Sequence, residues 1–325
     1  MGTATTMRRA ALSACLLALA CACAAALVQQ QPVFRVRVER VRLDALVTAG
    51  GHPVEGLGAV DFEVLDNGVR QRIDVATTAG DVTVVLVLDK SGSVEGPRLD
   101  QLIAASQTVL GLLGPGDTAS LITFSDRMML GAGSARDPAA VRAALVGAQA
   151  SGRTAMWDAL FAGLSFAAGD TGRSLVLLFT DGIDNASWLA EKQLTESLRR
   201  AESVVYVVHP AIESGEDTPA ARALRNLSLT AQNQLRKVVE QTGGSLLEAE
   251  WSAKLSQQFA AIVKEFRSRY LLLYEPTGVG RDDGWHRVEV RVKGRPAKVQ
   301  VRPGYFATRS GPGLGPLVPA PLPNP

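Results

Sequence analysis

From Phe34 to about Ala79 apolar residues recur at alternate positions. Phe34, Val36 and Val38, then Val41, Leu43, Ala45 and Val47, fall on one side of an extended chain, with Arg35, Arg37, Arg42 and Asp44 between them. A strand buried on one face has this period of two. Gly50, Gly51, His52 and Pro53 supply a turn. The run Asp61 to Asp66, followed by Asn67 and Gly68, predicts a strand entering a tight hairpin, because both central turn residues must accept positive φ. No helical period intrudes, so residues 34–80 are predicted to be an all-β segment.

From Asp81 to about Arg269 the pattern changes to continuous apolar runs separated by helical stretches. Val82 to Leu88, Leu121 to Phe124, Leu175 to Phe179 and Val204 to Val208 have the composition of strands covered on both faces. Between them lie amphipathic stretches from Arg98 to Leu113, Pro138 to Val146, Met156 to Phe166, Glu191 to Ala201, Pro219 to Gln241 and Ser252 to Phe266. Strands alternating with helices predict an α/β domain over 81–268, built on a doubly wound, mostly parallel sheet.

The alternating pattern returns at Tyr270 to Tyr274, His286 to Val292 and Ala297 to Val301, giving a C-terminal β segment over 269–308. Two arrangements fit. Either the two β segments pair into one small sheet or sandwich with the α/β domain inserted between them, or they are unrelated extensions. The tail, 309–325, is mostly Pro, Gly, Leu and Ala and is predicted to be disordered or extended.

At 325 residues and 46% apolar the chain is long enough for one full core and a smaller unit. Its 34 basic and 32 acidic residues nearly cancel, so nothing in bulk charge points to nucleic acid or an anionic membrane. Arg8 and Arg9 precede an apolar run from Ala10 to Leu27 that ends in small residues, which predicts a signal peptide over 1–26 and export to the cell envelope, periplasm or medium. Cleavage after Ala24 or Ala26 would remove Cys15, Cys21 and Cys23, the three cysteines of the chain, and leave no membrane span. Lipid attachment at a cysteine is the lesser alternative.

The chemistry gathers at predicted strand ends. Asp89, Ser91 and Ser93 place three oxygen-bearing side chains at every second position where the first buried strand gives way to a turn. Two hydroxyls with one or two carboxylates suit Mg²⁺, which takes oxygen ligands and keeps some of its water. Alone the triplet is weak, because Asp and Ser are ordinary turn and capping residues. Thr180-Asp181-Gly182 sets another carboxylate at a strand end, and Thr154 offers a hydroxyl at the mouth of a helix.

These three segments, in this order, resemble the metal-ion-dependent adhesion site of von Willebrand factor A domains, a likeness covering roughly 81–268. It implies that Ser91 and Ser93 coordinate the metal, that Thr154 binds it directly or through water, and that Asp89 and Asp181 ligate it or hold its waters. It implies Mg²⁺, with Mn²⁺ not distinguished, and a protein partner that offers an Asp or Glu carboxylate. The flanks, with Asp61-Phe62-Glu63-Val64 and Arg302-Pro303-Gly304-Tyr305, are similar to exported bacterial proteins frequent in Acidobacteria that contain such a domain.

The loops at 126–129, 184–188 and 209–218 are the candidate rim, with Met128, Met129 and Trp188 as contact or packing residues. The reading is of a binding protein and not an enzyme. His52, His209 and His286 lie far apart in sequence, and no nucleophile elbow or phosphate loop occurs. The alternatives are an envelope scaffold with a fixed partner and, more remotely, a metal-assisted phosphoesterase using Asp89 and Asp181. Asp89→Ala and Ser91→Ala are expected to abolish metal binding and leave the fold near intact.

Overall fold

A computed structural model describes residues 40–135, 138–168, 172–180, 183–210, 218–249, 252, 254–280 and 284–307. The predicted signal segment 1–26, the predicted strand at Phe34 to Val38, Asp181 and the tail 309–325 lie outside the described residues.

The N-terminal half of the β material forms β1 (Val41–Ala49), β2 (His52–Pro53), β3 (Phe62–Asp66), β4 (Val69–Gln71) and β5 (Ile73–Thr77). Asn67 and Gly68, at φ 46° and 83°, make the two-residue turn between β3 and β4 that the sequence signals. The α/β part follows as β6 (Val82–Asp89), α1 (Pro97–Gly111), β7 (Thr118–Phe124), β8 (Met128–Ala135), α2 (Pro138–Leu145), α3 (Met156–Ala167), β9 (Arg173–Phe179), α4 (Glu191–Arg200), β10 (Val204–Pro210), α5 (Pro219–Thr242), β11 (Leu246–Ala249) and α6 (Lys254–Ser268). The chain closes with β12 (Tyr270–Tyr274), β13 (Trp285–Val292), β14 (Lys298–Gln300) and β15 (Gly304–Phe306).

The central sheet has the order β11-β10-β9-β6-β7-β8, parallel throughout except for β8, which runs antiparallel to β7 at the edge. β6 is buried along its whole length. Val82, Val84, Leu86 and Leu88 face a core shared with α1, α2 and α6, and Val85 and Val87 face the other core, with α3, α4 and α5. A strand covered on both faces has no polar side to present, which is why its sequence reads as an unbroken apolar run. The chain winds outward from β6 through β7 and β8, then restarts on the other side at β9. The order therefore reverses between β6 and β9, and the crevice outside their carboxyl ends is where an open α/β sheet binds ligands.

The two β flanks interleave. One sheet has the order β14-β1-β12-β5 with β2 beside β1, and the other has the order β15-β13-β3-β4. Each contains strands from both ends of the chain, with Leu43 opposite Leu272 in the first and Val64 opposite Val290 in the second. Leu43, Ala45, Phe62, Val64, Leu272 and Val290 share one core between the sheets.

Two buried arginines join this sandwich to the α/β part. Arg173, on β9, donates from Nε to Asp44 Oδ1 on β1 at 2.8 Å and from Nη2 to the carbonyls of Phe266 and Arg269. Arg269 donates to the Asp44 carbonyl, the Gly243 carbonyl and the Tyr206 hydroxyl. A guanidinium taken out of water needs several acceptors to offset its desolvation, and both receive them.

Candidate metal site at the sheet switch point

Asp89 ends β6 at the switch point and is fully buried. Its Oδ1 accepts the backbone N–H of Ser91 at 2.8 Å, and its Oδ2 accepts the Thr180 hydroxyl at 2.9 Å from the end of the neighbouring β9. The first bond turns the chain back over the strand end, so that Ser91 precedes a short 3-10 turn, Gly92–Val94. Ser91 Oγ and Ser93 Oγ then lie 3.0 Å apart, with Ser91 buried and Ser93 exposed.

A second loop closes on the first. Ser151 donates its N–H to the Lys90 carbonyl at 2.9 Å, and Gly92 donates to the Gly152 carbonyl at 3.1 Å. Gly152 has φ +83°, and a Cβ there would stand 2.5 Å from Asp126 Oδ1. Only glycine fits this backbone without strain. The loop delivers Thr154, which is buried. Asn185 Oδ1 accepts the Thr154 N–H at 2.8 Å, and the Thr154 carbonyl accepts the N–H groups of Asn185 and Ala186. A third loop joins through Ala155, whose N–H reaches the Ser125 carbonyl at 2.8 Å.

The donor set fits a small hard cation. Adjacent ligands of an octahedral ion at about 2.1 Å are separated by roughly 2.9 Å, close to the spacing of the two serine oxygens. Among the described residues no cluster of three or more His, Cys, Asp or Glu is placed to hold a metal. A turn that offers two hydroxyls beside the buried Asp89 carboxylate suits Mg²⁺ better than Ca²⁺ or a softer metal.

Of the five residues singled out from the sequence, the structure puts Asp89, Ser91 and Ser93 in one turn and Thr154 on the loop bonded to it; Asp181 lies outside the described residues. Sequence reasoning missed Thr180 as the partner of Asp89 and Asn185 as the clamp on Thr154. The position of Asn185 four residues beyond Asp181 was the available signal. Asp158 and Asp184 are structural: Asp158 accepts the N–H groups of Trp188 and Leu189, and Asp184 accepts those of Trp157 and Ser187. Met128 and Met129 belong to β8 and not to a loop, and both are exposed. Trp188, left open between contact and packing, is 97% exposed.

Two of the three histidines lie in the flanking sheets. His52 is exposed on β2, and His286 pairs through Nδ1 with Asp66 inside the sandwich. His209 is buried at the end of β10 with Nδ1 against the Pro210 carbonyl, and its Nε2 has no hydrogen-bond partner among the described residues.

Residues 84–183 match the family model of the von Willebrand factor type A domain. The chain carries a von Willebrand factor type A domain, and the match runs from within β6 to just beyond β9, the stretch that supplies all three loops. No curated protein matches the chain. Among solved structures it is similar to the PilB minor pilin of Streptococcus sanguinis, at 13% identity and a TM-score of 0.45, covering 58% of this chain and 62% of the pilin. The chain thus spans less than two thirds of that pilin's length. It is also similar to a von Willebrand factor type A protein from Catenulispora acidiphila, at 12% identity and a TM-score of 0.48, covering 84% of this chain and 74% of the other. A third similarity is to the vWF domain of the type V pili tip protein Mfa5 from Porphyromonas gingivalis, at 13% identity and a TM-score of 0.45, covering 57% and 94%.

Proposed function

We propose that the protein is an exported binding protein that uses Mg²⁺ at Ser91, Ser93 and Thr154, with Asp89 and Asp181, to hold an Asp or Glu carboxylate of a protein partner. The observation that carries the reading is the pair of serine oxygens 3.0 Å apart, set by Asp89 at the point where the sheet order reverses. The bound ion would supply a positive charge with an exchangeable coordination position. The protein's own contribution is to fix Ser91 and Thr154 by backbone bonds between their loops before the partner arrives. Mn²⁺ offers the same chemistry.

Binding is favoured over hydrolysis because a phosphoesterase needs groups that position a nucleophile and neutralise a phosphate. His52 and His286 lie in the flanking sheets, and Lys90 is the only basic residue within the 89–93 motif. Export rests on the segment 1–26. Among the described residues no helix is long and apolar enough to cross a membrane.

Thermal unfolding with and without Mg²⁺ tests the reading. A ligand that binds only the folded state at about 100 times its Kd adds about 2.7 kcal/mol, a shift of several degrees for a domain of this size. The gain is expected with Mg²⁺ or Mn²⁺, is expected to vanish with chelator, and is expected to be absent in Ser93→Ala. Equal unfolding temperatures in all conditions would refute the metal role.

A further inference from the structure

Helix α3 is apolar on nearly every side. Its inner face, including Met156, Leu160 and Leu164, is buried, and Gly163 packs so close to β6 that a Cβ there would meet Val87 Cγ2 at 2.7 Å. Its outer face carries Phe161 and Phe166, exposed at 38% and 39%. A helix at the surface of a globular protein ordinarily turns polar residues outward, and an apolar face left in water marks an interaction surface. These two rings, Met128, Leu189 and the exposed Trp188 border one groove of about 460 Å³.

Among the described residues lining the groove, Asp158 is the one ionisable side chain, and its two oxygens accept the N–H groups of Trp188 at 3.0 Å and Leu189 at 2.9 Å. That carboxylate is committed to shaping the loop, and the loop in turn holds Trp188 out in solvent.

Groove and metal site are built from the same loops. Trp188 lies three residues beyond Asn185, which clamps Thr154, and Met128 follows the turn whose Ser125 carbonyl holds Ala155. Asp158, on the groove wall, lies four residues beyond Thr154 on the same loop and helix. The loops that carry a position calling for an anion thus also carry a surface that calls for an uncharged apolar group.

We infer that the groove is the second half of the partner-binding surface: it takes an aromatic or large aliphatic side chain from a protein segment whose Asp or Glu carboxylate reaches the metal. The inference rests on the metal-site reading. Large, rigid aromatic anchors seated beside a polar contact are the usual centre of a specific interface, and Trp188 together with Phe161 supplies them.

The test uses a phage-displayed library of random linear peptides, selected on the chain in Mg²⁺ and eluted with EDTA. Released peptides are expected to carry an acidic residue within a few positions of an aromatic or large aliphatic one. Synthetic copies are expected to bind Trp188→Ala and Phe161→Ser at least tenfold more weakly than wild type, while the calorimetric Mg²⁺ affinity of both variants is unchanged. Three results overturn the inference: acidic residues enriched without apolar ones, equal affinity for wild type and Trp188→Ala, or no peptide retained. Self-association in sedimentation that Trp188→Ala abolishes would put a second copy of the chain in the groove and overturn it as well. Peptides that EDTA does not release, that bind Ser93→Ala normally and that fail on Trp188→Ala would sustain the groove and refute the metal reading instead.

Discussion

Gly92 donates its backbone N–H to the carbonyl of Gly152 across 3.1 Å, and this bond makes one site of two loops that are about 60 residues apart in the chain. It depends on the positive φ of Gly152 and on the absence of a side chain there. Gly152→Ala is expected to cost about 1–2 kcal/mol for the left-handed backbone alone. Asp126 must also move. The expected outcome is a melting temperature lower by several degrees and a weaker Mg²⁺ affinity, measured by thermal unfolding and titration of the same sample; an unchanged affinity would show that the two loops act independently.

The structure separates Ser93→Ala from Asp89→Ala. Ser93 is exposed, and Ser93→Ala is expected to lose metal binding with a change in stability of about 0.5 kcal/mol or less. Asp89 is fully buried and accepts from both Ser91 and Thr180, so Asp89→Ala removes a structural acceptor as well as a site residue. A loss of about 1–3 kcal/mol is expected in urea unfolding. Equal stability of the two variants would contradict this division.

Asp44 and Arg173 tie the sandwich to the α/β sheet through a buried ion pair. Removing one partner leaves the other charge in a dry interface, and Asp44→Ala is expected to cost about 3–5 kcal/mol. Because Arg269 bridges to the same β1 backbone, both parts are expected to unfold in one transition, followed by Trp fluorescence and far-ultraviolet circular dichroism together. Two separate transitions in the wild type would show that the flanks fold independently.

Burial pushes the phenols of Tyr206, Tyr274 and Tyr305 above their ordinary range; for Tyr274 and Tyr305 the nearby Asp66 carboxylate adds to the shift. Each keeps its proton in the folded state and releases it near pH 10 when unfolded. Their contribution is therefore fully present below about pH 10 and is lost as pH rises through that value towards the folded pKa. Melting temperature is expected to fall steeply between about pH 10 and 11, less so in Tyr305→Phe. Phenolate absorbance from more than one of the four tyrosines with native circular dichroism intact would contradict the assignment.

How far the sequence carries the fold depends on what each strand touches. β6, β9 and β10 are covered on both faces, and their apolar runs announce them. β8 begins with Met128, Met129 and Leu130 but continues through glycine and serine at the sheet edge, so its first residues were read as loop. The four-residue β11 is too short to carry a period. The pairing of the flanks stayed open because register between strands some 200 residues apart is set by the shared core, not by any local signal. Asp44 and Arg173 look like ordinary solvent-facing charges until the sheets are assembled. The turn at 89–93 was legible because three of its residues are consecutive alternates in the chain, whereas Thr180 and Asn185 act across loops and leave no such spacing.

The most direct measurement is a calorimetric titration of the folded chain with Mg²⁺, run beside Ser93→Ala. Saturable binding of one ion per chain, reversed by chelator and lost in the variant, is the expected result. Absence of binding by the folded wild type, or equal binding by Ser93→Ala, would contradict a cation held between the loops at the end of β6.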